Sequence, residues 1–316
     1  MLPETILAHP PRVLATPARE AFLREGYACM PGFVDGPTLA RLQGALRDLV
    51  ELSRERPGND DDFTLAAGHS AADPRLVTVR RVHDLHPAFW AFAARSRLVE
   101  LVADLLGPDV KFREAYINYK RARDGEAVSW HQDFPFFPMT NRAMLTALVY
   151  LGDTTPEMGP IAVVPGSHRG RLFDHYDAAG TWSGRVAVAD EEAAGVARAV
   201  AQPGPAGTVV LFDSCAVHGS APNTSNRDRP VLIIGYAAAD AFPYTATPPS
   251  MFSARTWQVV RGKPARAAHF EAVDCRVPPD WSHQAYVPPD WPEGSNVFET
   301  KAQMVPMGGA KRAGMA

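Results

Sequence analysis

The period of the hydrophobic positions changes near residue 108 of this chain. Before that point apolar residues recur three and four positions apart, which is typical of amphipathic helices. We therefore predict a mainly helical N-terminal part over residues 16–107, with a strand inside it. Its elements are a helical region over 16–57 with a start signal at Asp35-Gly36-Pro37, a strand at Leu76–Val82, and one or two helices over His86–Leu106 that end at Gly107.

From residue 108 to residue 246 the pattern becomes one of short apolar runs separated by Gly, Pro and Asn. Many short strands with turn residues between them predict an all-β barrel or a jelly roll, so the fold class is mainly β with flanking α-helices. The predicted strands are Val110–Lys120, Met144–Leu151, Ile161–Val164, Thr208–Phe212 and Val231–Ala237.

Two segments interrupt this rhythm. Residues 171–200 are rich in Gly, Ala and acidic residues and are predicted to be an insertion that acts as a lid. Residues 247–316 are rich in proline and predict an irregular C-terminal extension, whose last ten residues, MGGAKRAGMA, are expected to be disordered. Because the chain has no internal repeat and no linker, we predict one domain over residues 1–316.

Composition narrows the function classes. The 316 residues are 46% hydrophobic and carry a formal net charge of −3, which argues against a nucleic-acid partner. No apolar stretch approaches the roughly 20 residues of a membrane span, and the first residues do not resemble a secretory signal. Three widely spaced cysteines are typical of reduced thiols, so we expect a cytoplasmic protein.

A candidate metal site comes from two histidines and a carboxylate. His131 and Asp133 are two residues apart, so on a strand both side chains would point to the same face. His218 follows the predicted strand Thr208–Phe212 and is expected to open a turn. Two histidines and one carboxylate can hold iron while leaving half of its octahedral positions open.

Three sequence motifs carry a resemblance to a known family. They are WHQD at 130–133, GPIAVVPGSH at 159–168 and HGSAPNTSNRDRP at 218–230. In this order and spacing, over roughly residues 20–245, the chain resembles the phytanoyl-CoA dioxygenase family, in its ectoine hydroxylase-like and natural-product tailoring branch. The resemblance implies a double-stranded β-helix core and an oxygenase that uses Fe(II), 2-oxoglutarate and O2.

The resemblance also implies roles for single residues. His131, Asp133 and His218 match the iron ligands, and Arg229 matches the arginine that binds the distal carboxylate of 2-oxoglutarate. Ser220 and Asn118 match further contacts to that co-substrate. Members that halogenate have Gly or Ala in place of the carboxylate, so Asp133 favours hydroxylation; desaturation, ring closure and epimerisation stay open.

Several other side chains are candidates for lining the site. Thr146, on the next strand, is either a further hydroxyl for 2-oxoglutarate or a packed threonine. Alternation along Val110–Lys120 predicts that Phe112, Glu114, Tyr116 and Asn118 share one face. A buried Glu114 needs a partner, which could be a substrate cation or a nearby Arg or Lys. The predicted substrate pocket consists of Glu114, Tyr116, Phe136, Phe137, Phe212 and Trp182.

Two alternative functions remain at this stage. One is a cupin-type metal enzyme that does not use 2-oxoglutarate, and the other is a catalytically silent metal-binding regulatory protein. Neither has a need for the carboxylate-binding pair Arg229 and Ser220. The substrate could be an amino-acid-like molecule, as Glu114 suggests, or an apolar polyketide-like or acyl compound, as the aromatic residues suggest.

Overall fold

Two antiparallel β-sheets pack against each other in a computed structural model that describes residues 3–123 and 125–282. The helices are α1 (Pro3–Ala8), α2 (Thr16–Glu25), α3 (Gly36–Ser53), α4 (Val82–Leu85), α5 (Pro87–Arg95), α6 (Arg97–Leu106) and α7 (Glu191–Ala194). The strands are β1 (Tyr27–Met30), β2 (Phe63–Leu65), β3 (Leu76–Val79), β4 (Val110–Lys120), β5 (Val128–His131), β6 (Met144–Tyr150), β7 (Ile161–Val163), β8 (Val200–Ala201), β9 (Val209–Asp213), β10 (His218–Ser220), β11 (Arg229–Ala238) and β12 (Val259–Arg261).

The larger sheet has the order β1-β9-β6-β11-β4-β3-β2, with β12 pairing to β4, and the smaller one has the order β5-β10-β7-β8. Apolar side chains from both sheets meet between them, for example Leu148 and Phe212 of the larger sheet with Val163 of the smaller one. This is the double-stranded β-helix with flanking helices, so the predicted fold class is confirmed.

The helices cover the outer face of the larger sheet. Strand alternation divides β6 between two cores: Leu145, Ala147 and Val149 pack towards the helices, whereas Leu148 and Tyr150 point between the sheets. Because both faces are buried, β6 reads as a continuous apolar run rather than an alternating one.

Several predicted boundaries are confirmed. The carboxylate of Asp35 accepts a hydrogen bond from the Thr38 N–H at 2.8 Å and so caps the start of α3. Ser96 separates α5 from α6 and caps the latter. Gly107, at a φ of 101°, ends α6 in a backbone conformation that only glycine adopts readily.

The mainly helical region predicted over residues 16–57 is confirmed, but a short strand that was not predicted interrupts it. Gly26, at a φ of 82°, terminates α2, and the following residues form β1. Tyr27 pairs with Phe212 of β9, so this short strand becomes the edge of the larger sheet. Four residues are too few for a periodicity to be read from the sequence alone.

The predicted alternation along β4 is also wrong at one residue. Glu114 lies opposite Gly235, but Phe112 lies opposite Tyr236, so Arg113 is an extra residue, a β-bulge. Phe112 therefore packs in the core beneath the helices, on the face opposite to Glu114. Tyr116 and Asn118, which follow the bulge, keep the same face as Glu114.

The C-terminal extension is not irregular throughout. Its residues Val259–Arg261 form β12 on β4, and Trp281 is buried in an aromatic cluster. The expected disorder of the last ten residues lies outside the described residues. The predicted insertion, residues 171–200, consists mainly of turns and short 3₁₀ helices, with the single α-helical turn α7.

Candidate metal centre and co-substrate site

Two histidines on adjacent strands of the smaller sheet face one carboxylate. His131 ends β5 and lies in register with His218, the first residue of β10, and their ring centroids are 4.1 Å apart. Oδ1 of Asp133 is 3.5 Å from Nε2 of each histidine. One ligand atom from each of the three residues lies within 4.8 Å of the others, which is close enough to hold one metal ion.

The structure reaches this arrangement by a different route from the predicted one. Strand β5 ends at His131, and Asp133 has helical dihedral angles (φ −70°, ψ −34°) just before a short 3₁₀ helix, Phe134–Phe136. His218 lies in a strand and not in a turn. The prediction that the three residues converge is thus confirmed, but the local conformations predicted for Asp133, as part of a strand, and for His218, in a turn, were wrong.

Backbone carbonyl groups set the tautomer of both histidines. Nδ1 of His131 lies 2.8 Å from the Ser129 oxygen, and Nδ1 of His218 lies 2.9 Å from the Ala216 oxygen. A carbonyl oxygen can only accept, so each Nδ1 carries the hydrogen and each Nε2 presents its lone pair towards Asp133. This is the tautomer that a metal ligand requires. Burial and the neighbouring His131 lower the pKa of His218 to about 4, so its ring is neutral at pH 7.

Asp133 is held in its charged form. Burial by itself would raise the pKa of this carboxyl group. The attraction of His218 and His131 in their charged forms, together with that of Arg113, outweighs burial and keeps the pKa well below its usual range. Oδ2 accepts a hydrogen bond of 2.6 Å from the Thr146 hydroxyl, which leaves Oδ1 directed at the histidines. The side chain of Asp133 is 17% exposed, against 6% for His131, so the triad is most accessible from its carboxylate side.

Gln132, between the two predicted ligands, ties the insertion to the metal centre. Its amide oxygen accepts from the Phe173 N–H at 2.8 Å, and its backbone N–H donates to Nε2 of His175 at 3.0 Å. Its amide nitrogen donates to the Cys215 carbonyl oxygen at 2.7 Å. Burial lowers the pKa of His175 to about 3, which keeps that ring neutral and able to accept.

Sequence analysis missed both of these residues. No role was predicted for either of them from the sequence. One signal was present: a polar residue flanked by two ligands on an alternating segment must point away from the metal, into an interior where an amide needs partners.

Arg229, at the start of β11, is buried and lies opposite Lys120 of β4. Its Nε is buried and makes no hydrogen bond with any residue in the described ranges. Burial lowers the pKa of Arg229 to about 10, so it stays charged at pH 7. Ser220 is also buried and lies two residues after His218 on β10, hence on the same face of that strand.

Asn118 and Thr146 lie on the inner face of the larger sheet. Oδ1 of Asn118 accepts from the Thr78 hydroxyl at 3.0 Å, so its amide nitrogen is the end that can donate to a ligand. Asn118 and Arg229 flank the same end of the space between the sheets, because Asn118 pairs with Val231. The Thr146 hydroxyl donates to Asp133, a partner that was not predicted from the sequence, and its contact with 2-oxoglutarate stays a prediction.

The predicted aromatic pocket residues divide into two groups. Phe212 and Phe136 touch the metal centre: their ring centroids are 4.3 Å from His218 and 6.0 Å from His131. Trp182 packs edge-on against Phe136 at 5.0 Å and belongs, with Trp281, to an aromatic cluster between the insertion and the C-terminal extension.

Glu114 and Phe137 share a neighbour that sequence analysis missed. Arg113 forms an ion pair of 2.9 Å with Glu114, and its guanidinium carbon is 4.6 Å from the Phe137 ring centroid. Burial raises the pKa of Glu114 to about 6, although Arg113 opposes the shift. The predicted salt bridge between Glu114 and a nearby Arg or Lys is therefore confirmed. Tyr116, on the same face of β4, is half-buried.

The donor set fits iron and 2-oxoglutarate. Two imidazole nitrogens and one carboxylate are the ligands of non-haem Fe(II) sites with open positions. The Nε of the buried Arg229 guanidinium has no partner in the part of the chain that the structure describes, and this group fits a carboxylate, which it can bind through two parallel hydrogen bonds. Separately, no helix within the described ranges is long and apolar enough to cross a membrane.

A double-stranded β-helix with this site defines the 2-oxoglutarate-dependent non-haem iron dioxygenases. Comparison with known proteins agrees, since residues 22–231 match the family described as phytanoyl-CoA dioxygenase (PhyH). The chain belongs to this family, and it is a dioxygenase that uses Fe(II), 2-oxoglutarate and O2.

Individual relatives support the same class. A probable alpha-ketoglutarate-dependent hypophosphite dioxygenase of Stutzerimonas stutzeri is 32% identical over 70% of this chain and 78% of its own length. L-proline trans-4-hydroxylase of Streptomyces griseoviridis is 31% identical over 77% of this chain and 94% of its own. The crystal structure of EctD from S. alaskensis with bound Fe superposes with a TM-score of 0.62 at 26% identity, over 82% of this chain and 87% of that one.

Proposed function

We propose that His131, Asp133 and His218 bind the iron, and that Arg229, assisted by Ser220 and Asn118, binds 2-oxoglutarate. The observation that carries this assignment is the convergence of three ligand atoms within 4.8 Å on a fold that also buries Arg229, whose Nε has no hydrogen-bond partner among the described residues. The reaction proposed is hydroxylation of an unactivated C–H bond in a small or medium-sized metabolite.

When bound, iron and 2-oxoglutarate supply the oxidation, with decarboxylation of 2-oxoglutarate to succinate and CO2. The chain's own residues bind, orient and exclude water. Ser129 and Ala216 hold both histidines in the metal-binding tautomer through their carbonyl groups. Thr146 fixes the rotation of the Asp133 carboxylate, and Phe212 and Phe136 keep the buried side of the centre apolar.

The proposal extends to the setting of the enzyme. We propose that the chain acts as one oxygenase domain in the cytoplasm, without a nucleic-acid partner. Support comes from three cysteines that form no disulfide, Cys29, Cys215 and Cys275, and from the net charge of −3.

Succinate release tests the assignment. Wild-type protein with Fe(II), O2 and 2-oxoglutarate should form succinate, and His131→Ala should abolish that activity together with Fe(II) binding. His168→Ala is the matched control, because His168 bonds to the Leu23 carbonyl oxygen and lies outside the triad. Loss of activity in both variants, or in neither, would contradict the assignment.

A further inference from the structure

One row of residues crosses the inner face of the larger sheet at the level of the metal centre. Glu114 lies in register with Gly235, Gly235 with Thr146, and Thr146 with Phe212. Side chains in register on adjacent strands project to the same side. Since Thr146 bonds to Asp133 and Phe212 packs on His218, Glu114 faces the same space as the metal centre, two strands away from Thr146.

Gly235 leaves a gap in this row, and Arg113 fills it. A Cβ atom at position 235 would lie 2.5 Å from Nε and 2.7 Å from Nη2 of Arg113, so the guanidinium lies directly over this glycine. The β-bulge at Arg113 explains how two consecutive residues, Arg113 and Glu114, reach the same face. The ring of Phe137 also packs against the guanidinium.

The guanidinium of Arg113 has hydrogen-bonding capacity left over. Nη2 lies 2.9 Å from Glu114 Oε1, but Nε and Nη1 are buried and make no hydrogen bond to anything in residues 3–123 and 125–282. The residue is only 3% exposed. Buried donors of a charged group are costly to leave unpaired, and the guanidinium fork matches a carboxylate.

Charge decides which kind of ligand suits this pair. Arg113 and Glu114 together are neutral and nearly excluded from water, with 3% and 5% of their side chains exposed. A ligand with a single charge would leave one buried charge uncompensated, which is strongly unfavourable. A ligand with one carboxylate and one ammonium group keeps the ensemble neutral and pairs each charge.

We propose that Arg113 and Glu114 are the substrate-recognition pair of this enzyme and that the substrate is a small zwitterion of the amino-acid or imino-acid class. Arg113 binds the substrate carboxylate, Glu114 binds the substrate ammonium, and the row through Gly235 directs the carbon skeleton towards the metal centre. This inference rests on the proposed function, because it takes the reacting bond to lie at that centre.

Binding to the anaerobic complex with Fe(II) and 2-oxoglutarate tests the inference. The probes are L-proline and a panel of L-amino acids, each with its amide and its N-acetyl derivative, measured by calorimetry. At least one zwitterion should bind, and its amide and N-acetyl forms should each bind about 10- to 100-fold more weakly, as expected for loss of a charge-assisted contact. If no zwitterion binds, or the amide binds equally well, the inference is overturned.

Variants locate the contact. Arg113→Gln should weaken binding of the zwitterion about 10- to 100-fold and leave the affinity for its amide unchanged, and Arg113→Lys should recover part of the loss. Glu114→Gln should likewise weaken binding of the zwitterion and leave the affinity for its N-acetyl derivative unchanged. An Arg113→Gln protein that binds the zwitterion within about twofold of wild type would refute the assignment.

Lys111→Met is the matched control. It removes a buried cation from the same strand, but Lys111 bonds to the Ala241 carbonyl oxygen and lies 4.1 Å from the Phe242 ring, outside the row of Glu114. Visible absorption of the Fe(II)–2-oxoglutarate complex separates the two claims. If that complex forms in wild type and in every variant while binding of the zwitterion is lost only in the pair variants, the inference is supported; if it fails to form in wild type, the proposed function fails instead.

Discussion

Replacing Thr146 by valine isolates the hydrogen bond that orients the iron-binding carboxylate. The two side chains are nearly isosteric, so Thr146→Val removes the 2.6 Å bond to Asp133 Oδ2 with little change in packing. A hydrogen bond to a charged group contributes about 1.5–3 kcal/mol. Because the Asp133 side chain is 17% exposed, water can replace part of that bond, and we expect a cost of about 1–2 kcal/mol.

That cost corresponds to an Fe(II) affinity about 5- to 30-fold weaker than in wild type. Anaerobic titration with Fe(II), followed by 2-oxoglutarate, gives the two dissociation constants separately. Thr208→Val is the control, since Thr208 is equally buried but bonds to the Pro205 carbonyl oxygen, away from the metal centre. It should lower stability without changing metal affinity.

The opposite outcome would favour the role predicted from sequence. If Thr146 contacts 2-oxoglutarate, Thr146→Val should weaken the binding of 2-oxoglutarate and leave the affinity for Fe(II) unchanged. Fe(II) affinity within about twofold of wild type would therefore refute the reasoning from the hydrogen bond.

Three further predictions concern Arg229, the ion pair of Arg113 and Glu114, and the aromatic cluster around Trp281. Arg229→Ala should weaken the binding of 2-oxoglutarate by about 2–5 kcal/mol, whereas Arg227→Ala, at an exposed neighbouring residue, should have no effect. Equal effects of the two variants in calorimetry would contradict a specific contact between Arg229 and 2-oxoglutarate. Burial raises the pKa of Glu114 from about 4.5 to about 6, so the unfolded chain loses this proton at a lower pH than the folded protein does. As the pH rises from about 4.5 to about 6, wild type should therefore lose unfolding free energy relative to Glu114→Gln. Urea unfolding that gives the same difference between the two proteins at every pH would contradict this. Trp281→Ala should cost about 3–5 kcal/mol of unfolding free energy, whereas Phe270→Ala, at a site 74% exposed, should cost less than about 0.5 kcal/mol; similar values would show that the extension is not packed on the cluster.

Sequence patterns predicted the long elements and the ligand set, for physical reasons. Strand β6 and helix α6 bury most of their residues, so their apolar patterns are strong, and Asp35 caps a helix through a local bond. The roles of His131 and His218 followed from motif order, which does not depend on local conformation.

The errors fall where tertiary contacts overrule local pattern. Strand β1 is only four residues long and exists because β9 offers an edge. The single β-bulge at Arg113 turns Phe112 to the opposite face of β4, and an alternating sequence pattern cannot show where such an extra residue lies. Asp133 leaves the strand because the next three residues turn into a 3₁₀ helix. Arg113 was missed for the same reason, since alternation placed it on the opposite face from Glu114.

The hydrogen bonds of Gln132 have a consequence for how the site opens. Gln132 connects the backbone between two ligands to the segment that contains Arg171, Phe173 and His175, so this segment cannot separate from that backbone without breaking three hydrogen bonds. The amide protons of Gln132 and Phe173 should therefore exchange with solvent deuterium at a common rate, as one cooperative unit, and metal loading should slow both together. We propose on this basis that order in the insertion and exposure of the metal centre form a single equilibrium, which a change in the length of the insertion would shift.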